Sequence, residues 1–374
     1  AKAHHELLTV AKDWLQSENE STRVIGYKVT AELCRGLPAI FYSKIEQFLP
    51  LMAQQFGELS TTEFSENVVL ALFETMTLLC QLVPTAFLGS FISMEKEHAI
   101  LEKLNEFLQC VLSKPVQFSA SGFLGQLLST LKNEETSKFH KKLQKLFESS
   151  VGWSKLCYSL CFQLKGKSLT EATVDQLIKN LVFLSSQISD AEEFGSFCQR
   201  IANVCSAEVA LYSTESLRRK GIFKLTAACA LQSTEERTKL LTQRMLPSLH
   251  REMLGKSSAD KEDLQNLASE VGEILKKQIG AKEYAIILIE CSKKANEKTA
   301  KRKEEAATLA VTNPQVAAQA KRRRHEKKAE NRKRKLDELK PYRIAKRKAR
   351  TDIRQKMDDA DANFFDDDEE EVEE

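Results

Sequence analysis

Apolar residues recur every three or four positions along the first 292 residues, and this periodicity is the strongest constraint on the fold. Such spacing places apolar side chains on one face of an α-helix. The first two segments carry Leu7, Leu8, Ala11, Trp14 and Leu15, and then Val24, Ile25, Val29, Leu33 and Cys34. Almost no segment alternates apolar and polar residues with a period of two. The sequence therefore predicts an all-α fold.

Candidate helices follow one another with short connections. We predict helices over 3–16, 22–37, 41–56, 63–83, 101–112, 122–131, 137–149, 153–164, 171–188, 191–211, 215–231, 235–254, 261–278 and 281–311. Gly36 and Pro38 should end the second helix, and Pro50 should kink or split the third. An exposed loop at 256–261 should precede a helix that Asp260 caps.

Stacked helical pairs are a better interpretation than one compact bundle. A single core rarely grows to the size of this helical region, whereas a solenoid adds one pair at a time. The sequence also resembles itself, since Tyr27–Ala31 reads YKVTA and Phe223–Ala227 reads FKLTA. Helix starts that contain Ser and Arg precede both, at Ser21–Arg23 and Ser216–Arg219. We therefore predict a HEAT-like α-solenoid.

Charge is strongly segregated along the chain, although the formal net charge is only +3. Residues 1–292 hold 32 Lys and Arg against 34 Asp and Glu, residues 293–356 hold 24 against 8, and residues 357–374 hold none against 11. This division predicts three parts, which are a HEAT-like solenoid over 1–292, a basic helical or disordered arm over 293–356, and an acidic disordered tail over 357–374.

The basic arm contains the candidate binding residues. Asn313 and Pro314 are typical of a helix start, with Asn as the N-cap and Pro at the first helical position. The basic clusters that follow are Lys321, Arg322, Arg323, Arg324, Lys327, Lys328, Arg332, Lys333, Arg334, Lys335, Lys346, Arg347 and Lys348. Spaced cations neutralise phosphates and release counterions, so we predict RNA binding that depends steeply on salt.

Two other interpretations of the arm remain open. The clusters at 321–324 and 332–335 are separated by a short spacer, which is typical of a signal read by a nuclear import receptor. The arm also fits a solubilising tail with no partner. The acidic end could compete with RNA for the arm or contact a basic partner, and Phe364–Phe365 could act as a small docking motif. A plain solvated tail is an equal alternative.

Signatures of catalysis, cofactor binding and membrane insertion are missing from the sequence. It contains no phosphate-binding loop, dinucleotide fingerprint, nucleophile elbow or HExxH motif, so we predict no enzyme and no cofactor. Cys157 and Cys161 are spaced to share a helical face, and we interpret them as core thiols in preference to metal ligands. No apolar run is long enough for a membrane span. The first residues are not a signal peptide. The chain begins with Ala1 in place of an initiator Met, which fits a fragment or a processed piece of a longer protein.

The C-terminal stretch resembles a known family. Residues 295–350 run through Ala310-Val311-Thr312-Asn313-Pro314, then the cluster 321–328, then Asn331–Lys335, and finally Ala345–Lys348. This pattern is similar to the C-terminal end of the large HEAT-repeat scaffold of the small-subunit processome, the component 20 or DRIM family, or to a related nucleolar HEAT-type assembly factor. The resemblance implies a nucleolar protein that helps assemble the small-subunit precursor, with ribosome-assembly proteins and pre-rRNA as partners.

Two functions therefore stand as hypotheses. The first is a non-enzymatic scaffold in ribosome biogenesis, located in the nucleus and nucleolus, whose solenoid binds proteins and whose arm binds pre-rRNA. The alternative is a HEAT-like nuclear transport or chromatin adaptor whose basic arm binds DNA or an acidic protein.

Overall fold

Helices form nearly all of the structure. The computed structural model describes residues 2–166, 169–207, 212–254, 261–333, 336, 337 and 340, and these residues contain no strand. The helices are α1 Lys2–Leu15, α2 Glu20–Gly36, α3 Pro38–Tyr42, α4 Ile45–Glu58, α5 Glu66–Leu82, α6 Pro84–His98, α7 Ile100–Leu108, α8 Lys114–Thr130, α9 Ser137–Ser150, α10 Trp153–Gln163, α11 Glu171–Gln187, α12 Ala191–Ser206, α13 Tyr212–Gln232, α14 Glu235–Met253, α15 Lys261–Ile279 and α16 Ala281–Thr312. Residues 314–333 are helical as well.

Side chains at the helix starts explain several of these boundaries. Asn19 accepts a hydrogen bond from the amide of Thr22 at 3.2 Å, and Ser113 accepts one from Val116 at the same distance. Such caps satisfy amide groups that have no partner within the first turn. Pro38 and Pro84 are the first residues of α3 and α6, where the missing amide hydrogen costs nothing.

Two layers of helices build the array of residues up to 292. In the first layer, α1, α4, α7, α10, α12 and α14 pack in that order. In the second layer, α2, α5, α8 and α11 pack in order. Gly221 of α13 faces Val174 and Ile178 of α11, and Lys220 pairs with Asp263 of α15 at 3.2 Å, which extends the second layer. This alternation is the all-α helical solenoid that the periodicity predicts.

A continuous aromatic core joins neighbouring pairs of helices. The ring of Phe73 in α5 lies 5.4 Å from Phe56 in α4, 5.7 Å from Phe107 in α7 and 6.1 Å from Phe123 in α8, measured between centroids. All four side chains are fully buried. Because rings of α4 and α5 contact rings of α7 and α8, one aromatic core is continuous between these two pairs of helices.

The internal sequence similarity has a structural basis. Tyr27 in α2 and Phe223 in α13 are both fully buried in second-layer helices. Three residues later, Thr30 and Thr226 are also buried, and each hydroxyl donates to the carbonyl four residues earlier, at 2.7 and 2.8 Å. The repeated motif therefore marks equivalent positions in two second-layer helices.

Two details of the predicted helices are wrong. The split that was predicted as one alternative at Pro50 is absent, since α4 continues through Pro50 and the break falls earlier, at Ser43 and Lys44. The helix α6, Pro84–His98, was not predicted, because its apolar residues Phe87, Leu88, Phe91 and Met94 follow a proline that signals a stop as readily as a start. The predicted loop at 256–261 and its cap at Asp260 lie outside the described residues, apart from Lys261.

Candidate nucleic-acid interface

The last helix of the array is anchored by one apolar cluster. Gly280 has a φ of +82°, the left-handed conformation that lets the chain leave α15 and begin α16 directly. Ile287 of α16 is 3% exposed and packs with Leu246 and Ile279, and Tyr284 packs against the same cluster. The residues of α16 up to Ser292 therefore belong to the array.

The rest of α16 has no buried side chain. Every residue from 293 to 316 is exposed. This stretch carries Lys293, Lys294, Lys298, Lys301, Arg302 and Lys303 against Glu297, Glu304 and Glu305. The candidate set drawn from the sequence omitted these six basic residues, although the charge count already included them. A helix of this composition offers its cations to solvent.

A capped break separates α16 from the next helix. The side-chain oxygen of Asn313 accepts a hydrogen bond from the amide of Val316 at 3.2 Å, and Pro314 takes the first helical position. This geometry confirms the predicted helix start. The proline cannot donate to a carbonyl of the preceding turn, so the backbone begins a new helix at this point.

The strongest basic clusters lie on the helix over 314–333. Within it, Lys321, Arg322, Arg323, Arg324, Lys327, Lys328, Arg332 and Lys333 are all exposed. Residues 321–335 hold ten Lys and Arg against two Glu, and one of these, Glu326, pairs with Arg322 at 3.2 Å. Helical spacing distributes the cations around the helix, which suits a polyanion that contacts it from more than one side.

Some of the predicted contact residues cannot be placed. Arg334, Lys335, Lys346, Arg347 and Lys348 lie outside the described residues, as does the acidic tail over 357–374. The binding role of the whole set stays a prediction. The same is true of the three-part division at 292 and 356.

The cysteines lie in the core. Cys157 and Cys161 are 0% and 2% exposed, which confirms the interpretation of this pair as core thiols. Burial raises the pKa of Cys161 to about 12, with a smaller opposing effect from Arg200 and Lys165. Where side chains are described, no group of three or more His, Cys, Asp or Glu is arranged to hold a metal ion. None of the described helices is long and apolar enough to cross a membrane.

One known family matches a stretch of the sequence that includes both the helical array and the exposed basic clusters. Residues 22–338 match the family described as small subunit processome component 20 homolog, C-terminal. This chain belongs to that family. The match begins in α2 and ends at residue 338, so it covers the array from α2 onwards and the described basic clusters. The resemblance inferred from residues 295–350 is thereby confirmed over most of the chain.

Two solved structures show a distant likeness to this chain. Both are crystal structures of engineered proteins from the Northeast Structural Genomics Consortium. The first is 13% identical, covers 74% of this chain and 98% of its own, and has a TM-score of 0.47. The second is 12% identical, covers 89% and 88%, and has a TM-score of 0.23. TM-scores this low support no inference about function.

Proposed function

We propose that this chain is a non-catalytic scaffold in the assembly of the small ribosomal subunit precursor. Membership of the processome component 20 family is the observation that carries the proposal. In this proposal the helical array binds ribosome-assembly proteins, and the basic segment from Lys293 to Lys356 binds pre-rRNA. An import receptor that reads the same clusters brings the protein to the nucleus, and its RNA partner retains it in the nucleolus.

The charge distribution supports the assignment of protein binding to the array and of RNA binding to the basic segment. The array is nearly neutral, so most of its surface has no general attraction for a polyanion. The exposed cations on α16 and on the helix over 314–333 are largely unmatched by carboxylates, which favours phosphate contacts. Each phosphate contact releases counterions, and the affinity then falls with salt by a slope of about 0.7 per contact for single strands.

A charge-matched substitution tests the proposal in the full chain. The basic variant replaces Lys321, Arg322, Arg323, Arg324, Arg332 and Lys333 by Ala. The control variant removes six exposed lysines from the array, which are Lys28, Lys141, Lys179, Lys224, Lys277 and Lys282. Localisation, pre-rRNA recovery after immunoprecipitation, and RNA affinity over a salt series are measured for both.

We expect only the basic variant to lose nucleolar enrichment and pre-rRNA, while assembly proteins stay bound. The slope of log affinity against log salt should fall by up to about 4 if all six residues contact phosphates. Equal losses in both variants, or none in either, would contradict the proposal. Partners that survive ribonuclease and include no assembly factor would favour the transport or chromatin adaptor.

A further inference from the structure

Three consecutive first-layer helices are rich in cations and poor in carboxylates over most of their sequence. The sequence contains no Asp or Glu over 149–170, 194–207 or 237–251, the stretches that include most of α10, α12 and α14. The same stretches hold eight Lys and Arg residues. The helix α10 packs against α12, and α12 packs against α14, so the three helices adjoin one another in the array.

Aromatic side chains are exposed in the same place. Tyr158 and Phe162 of α10 are 46% and 37% exposed, although large rings in this array are mostly buried. They are four residues apart, so they lie next to each other on one helical face. Lys155 is exposed three residues before Tyr158, and Lys165 is exposed in the turn that follows the last residue of α10, Gln163.

An arginine of the neighbouring helix completes this face. The guanidinium carbon of Arg200 in α12 lies 4.5 Å from the ring centroid of Tyr158. This contact shows that the exposed faces of α10 and α12 meet at these two side chains. We call the set Lys155, Tyr158, Phe162, Lys165 and Arg200 the α10–α12 face. Arg244 of α14, the next helix of the first layer, is exposed as well.

Carboxylates limit this surface on both sides. On α7, the first-layer neighbour of α10, Glu106 pairs with Lys103 at 2.9 Å. On the far side of α14, Glu283 of α16 pairs with Lys239 at 2.6 Å. Cations therefore pair with carboxylates at these margins. Glu106 also lines a surface pocket together with Lys155, whereas the stretch 149–170, which contains Lys155 and Lys165, has no Asp or Glu of its own.

We propose that the α10–α12 face binds single-stranded RNA, with bases stacked on Tyr158 and Phe162. Lys155, Lys165 and Arg200 then contact the phosphates. Exposed rings next to cations are the arrangement by which proteins hold unpaired nucleotides without reading their sequence. An acidic protein would satisfy the cations but would leave two adjacent rings without flat partners. This inference rests on the proposed function because the ligand is again RNA, but it uses different residues from the basic segment.

The test uses the full chain and a fluorescent single-stranded oligouridylate of twelve nucleotides. The face variant is Tyr158→Ala with Phe162→Ala. The matched control is Tyr42→Ala with Phe118→Ala, which removes a Tyr and a Phe of similar exposure, 50% and 41%, from α3 and α8. Both pairs are made in the unsubstituted chain and in the basic variant described above. Circular dichroism verifies that every protein is folded.

We expect the face variant to weaken binding about tenfold in the basic-variant background, which corresponds to about 1.4 kcal/mol. The control pair should have less than a twofold effect. A duplex RNA of equal length should bind more weakly than the single strand, because its bases are already stacked. Ultraviolet crosslinking should place the single strand on the peptide that contains residues 155–165.

Several outcomes would overturn the inference. Loss of all binding in the basic variant, with no effect of the face variant, would refute it and leave the proposed function intact. Equal binding of duplex and single strand would refute stacking. Displacement of RNA by a poly-glutamate peptide, combined with no effect of removing the rings, would assign the face to an acidic protein. If the basic segment contributes nothing and the remaining RNA binding requires Tyr158 and Phe162, the result would support this inference. It would also contradict the assignment of pre-rRNA binding to the basic segment.

Discussion

The Nη1 atom of Arg219 in α13 lies 3.1 Å from Oε1 of Glu252 in α14, and both side chains are buried. Arg219 also pairs with Glu215 of its own helix, and its Nε donates to the carbonyl of Cys205 at the end of α12. At the corresponding position of α2, Arg23 donates to the carbonyl of Ser17, just after α1. At two places in this array, therefore, an arginine near the start of a second-layer helix donates a hydrogen bond to a carbonyl at the end of the preceding first-layer helix.

Glu252→Ala should destabilise the array strongly. It removes one of the two carboxylates that pair with a buried guanidinium. Because Glu215 still pairs with Arg219, we expect the loss of one hydrogen bond to a charged group, which costs about 1.5–3 kcal/mol. Glu273→Ala is the control, because Glu273 pairs with Lys276 on the surface, where a pair contributes about 0.5 kcal/mol or less. Urea unfolding followed by circular dichroism compares the two. Similar midpoints for both variants would show that the buried pair adds nothing beyond a surface pair.

Glu95 should make stability depend on pH. Its side chain is 3% exposed, and its two oxygens accept from the amide of Leu101 at 3.0 and 3.3 Å. Burial raises its pKa to about 7, although hydrogen bonds from Leu101 and Ser150 oppose the shift. Between pH 4.5 and 7 the folded state keeps a proton that the unfolded state releases. The contribution of this carboxyl to the free energy of unfolding is therefore largest below pH 4.5. It falls as the pH rises through 7, by at most about 3 kcal/mol in all.

The variant Glu95→Gln should remove this dependence, since an amide does not ionise over that range and keeps an acceptor oxygen. The measurement is the unfolding free energy at several pH values from 4.5 to 8, relative to the parent chain. Glu46→Gln, at an exposed position of α4, should leave the slope unchanged. If Glu95→Gln and the parent differ by a constant amount at all pH values, the buried carboxyl is not the titrating group.

Gly26→Ala should destabilise the contact between α1 and α2. A Cβ at this position would lie 2.9 Å from the backbone nitrogen of Leu15 and 3.0 Å from Trp14, so one helix must move away. Such overpacking costs about 1–3 kcal/mol. Gly36, the last residue of the same helix, has nothing within 4 Å of its Cβ position, so Gly36→Ala should be neutral or stabilise by up to about 1 kcal/mol. The thermal unfolding midpoint of each variant is compared with that of the parent chain. A midpoint lowered by Gly26→Ala and not lowered by Gly36→Ala would confirm the contrast. Equal shifts in both variants would disprove the close approach of α1 to Gly26.

Asn313→Ala should loosen the helix that carries the basic clusters. It removes the bond from the Val316 amide, and loss of an N-cap costs about 1 kcal/mol. Amide hydrogens of residues 316–333 should then exchange faster, whereas those of α16 should not change. Gln315→Ala, two residues further along the chain, leaves the cap in place and should have little effect. Unchanged exchange in Asn313→Ala would mean that the cap does not hold this helix.

Local patterns predicted some parts of this molecule correctly and missed others. The cap at Asn313 and the end of α2 at Gly36 were predictable, because each depends on a few adjacent residues. The uninterrupted course of α4 through Pro50 was not, because packing of Phe48, Leu49 and Met52 in the core can outweigh the cost of one lost hydrogen bond. The exposure of Tyr158 and Phe162 was not predictable either, since the same rings would fit a buried stripe.

The sequence by itself determined the all-α class, the repeated pairs and the separation of a neutral array from a basic segment. Periodicity, caps and charge counts are properties of neighbouring residues, and they persist whatever the chain packs against. Only the tertiary structure decided which helices share a layer, which charges are buried together and which rings face solvent. Those facts depend on contacts between residues far apart in the chain. A local pattern shows that a helix has an apolar face, but it does not show which distant helix covers that face.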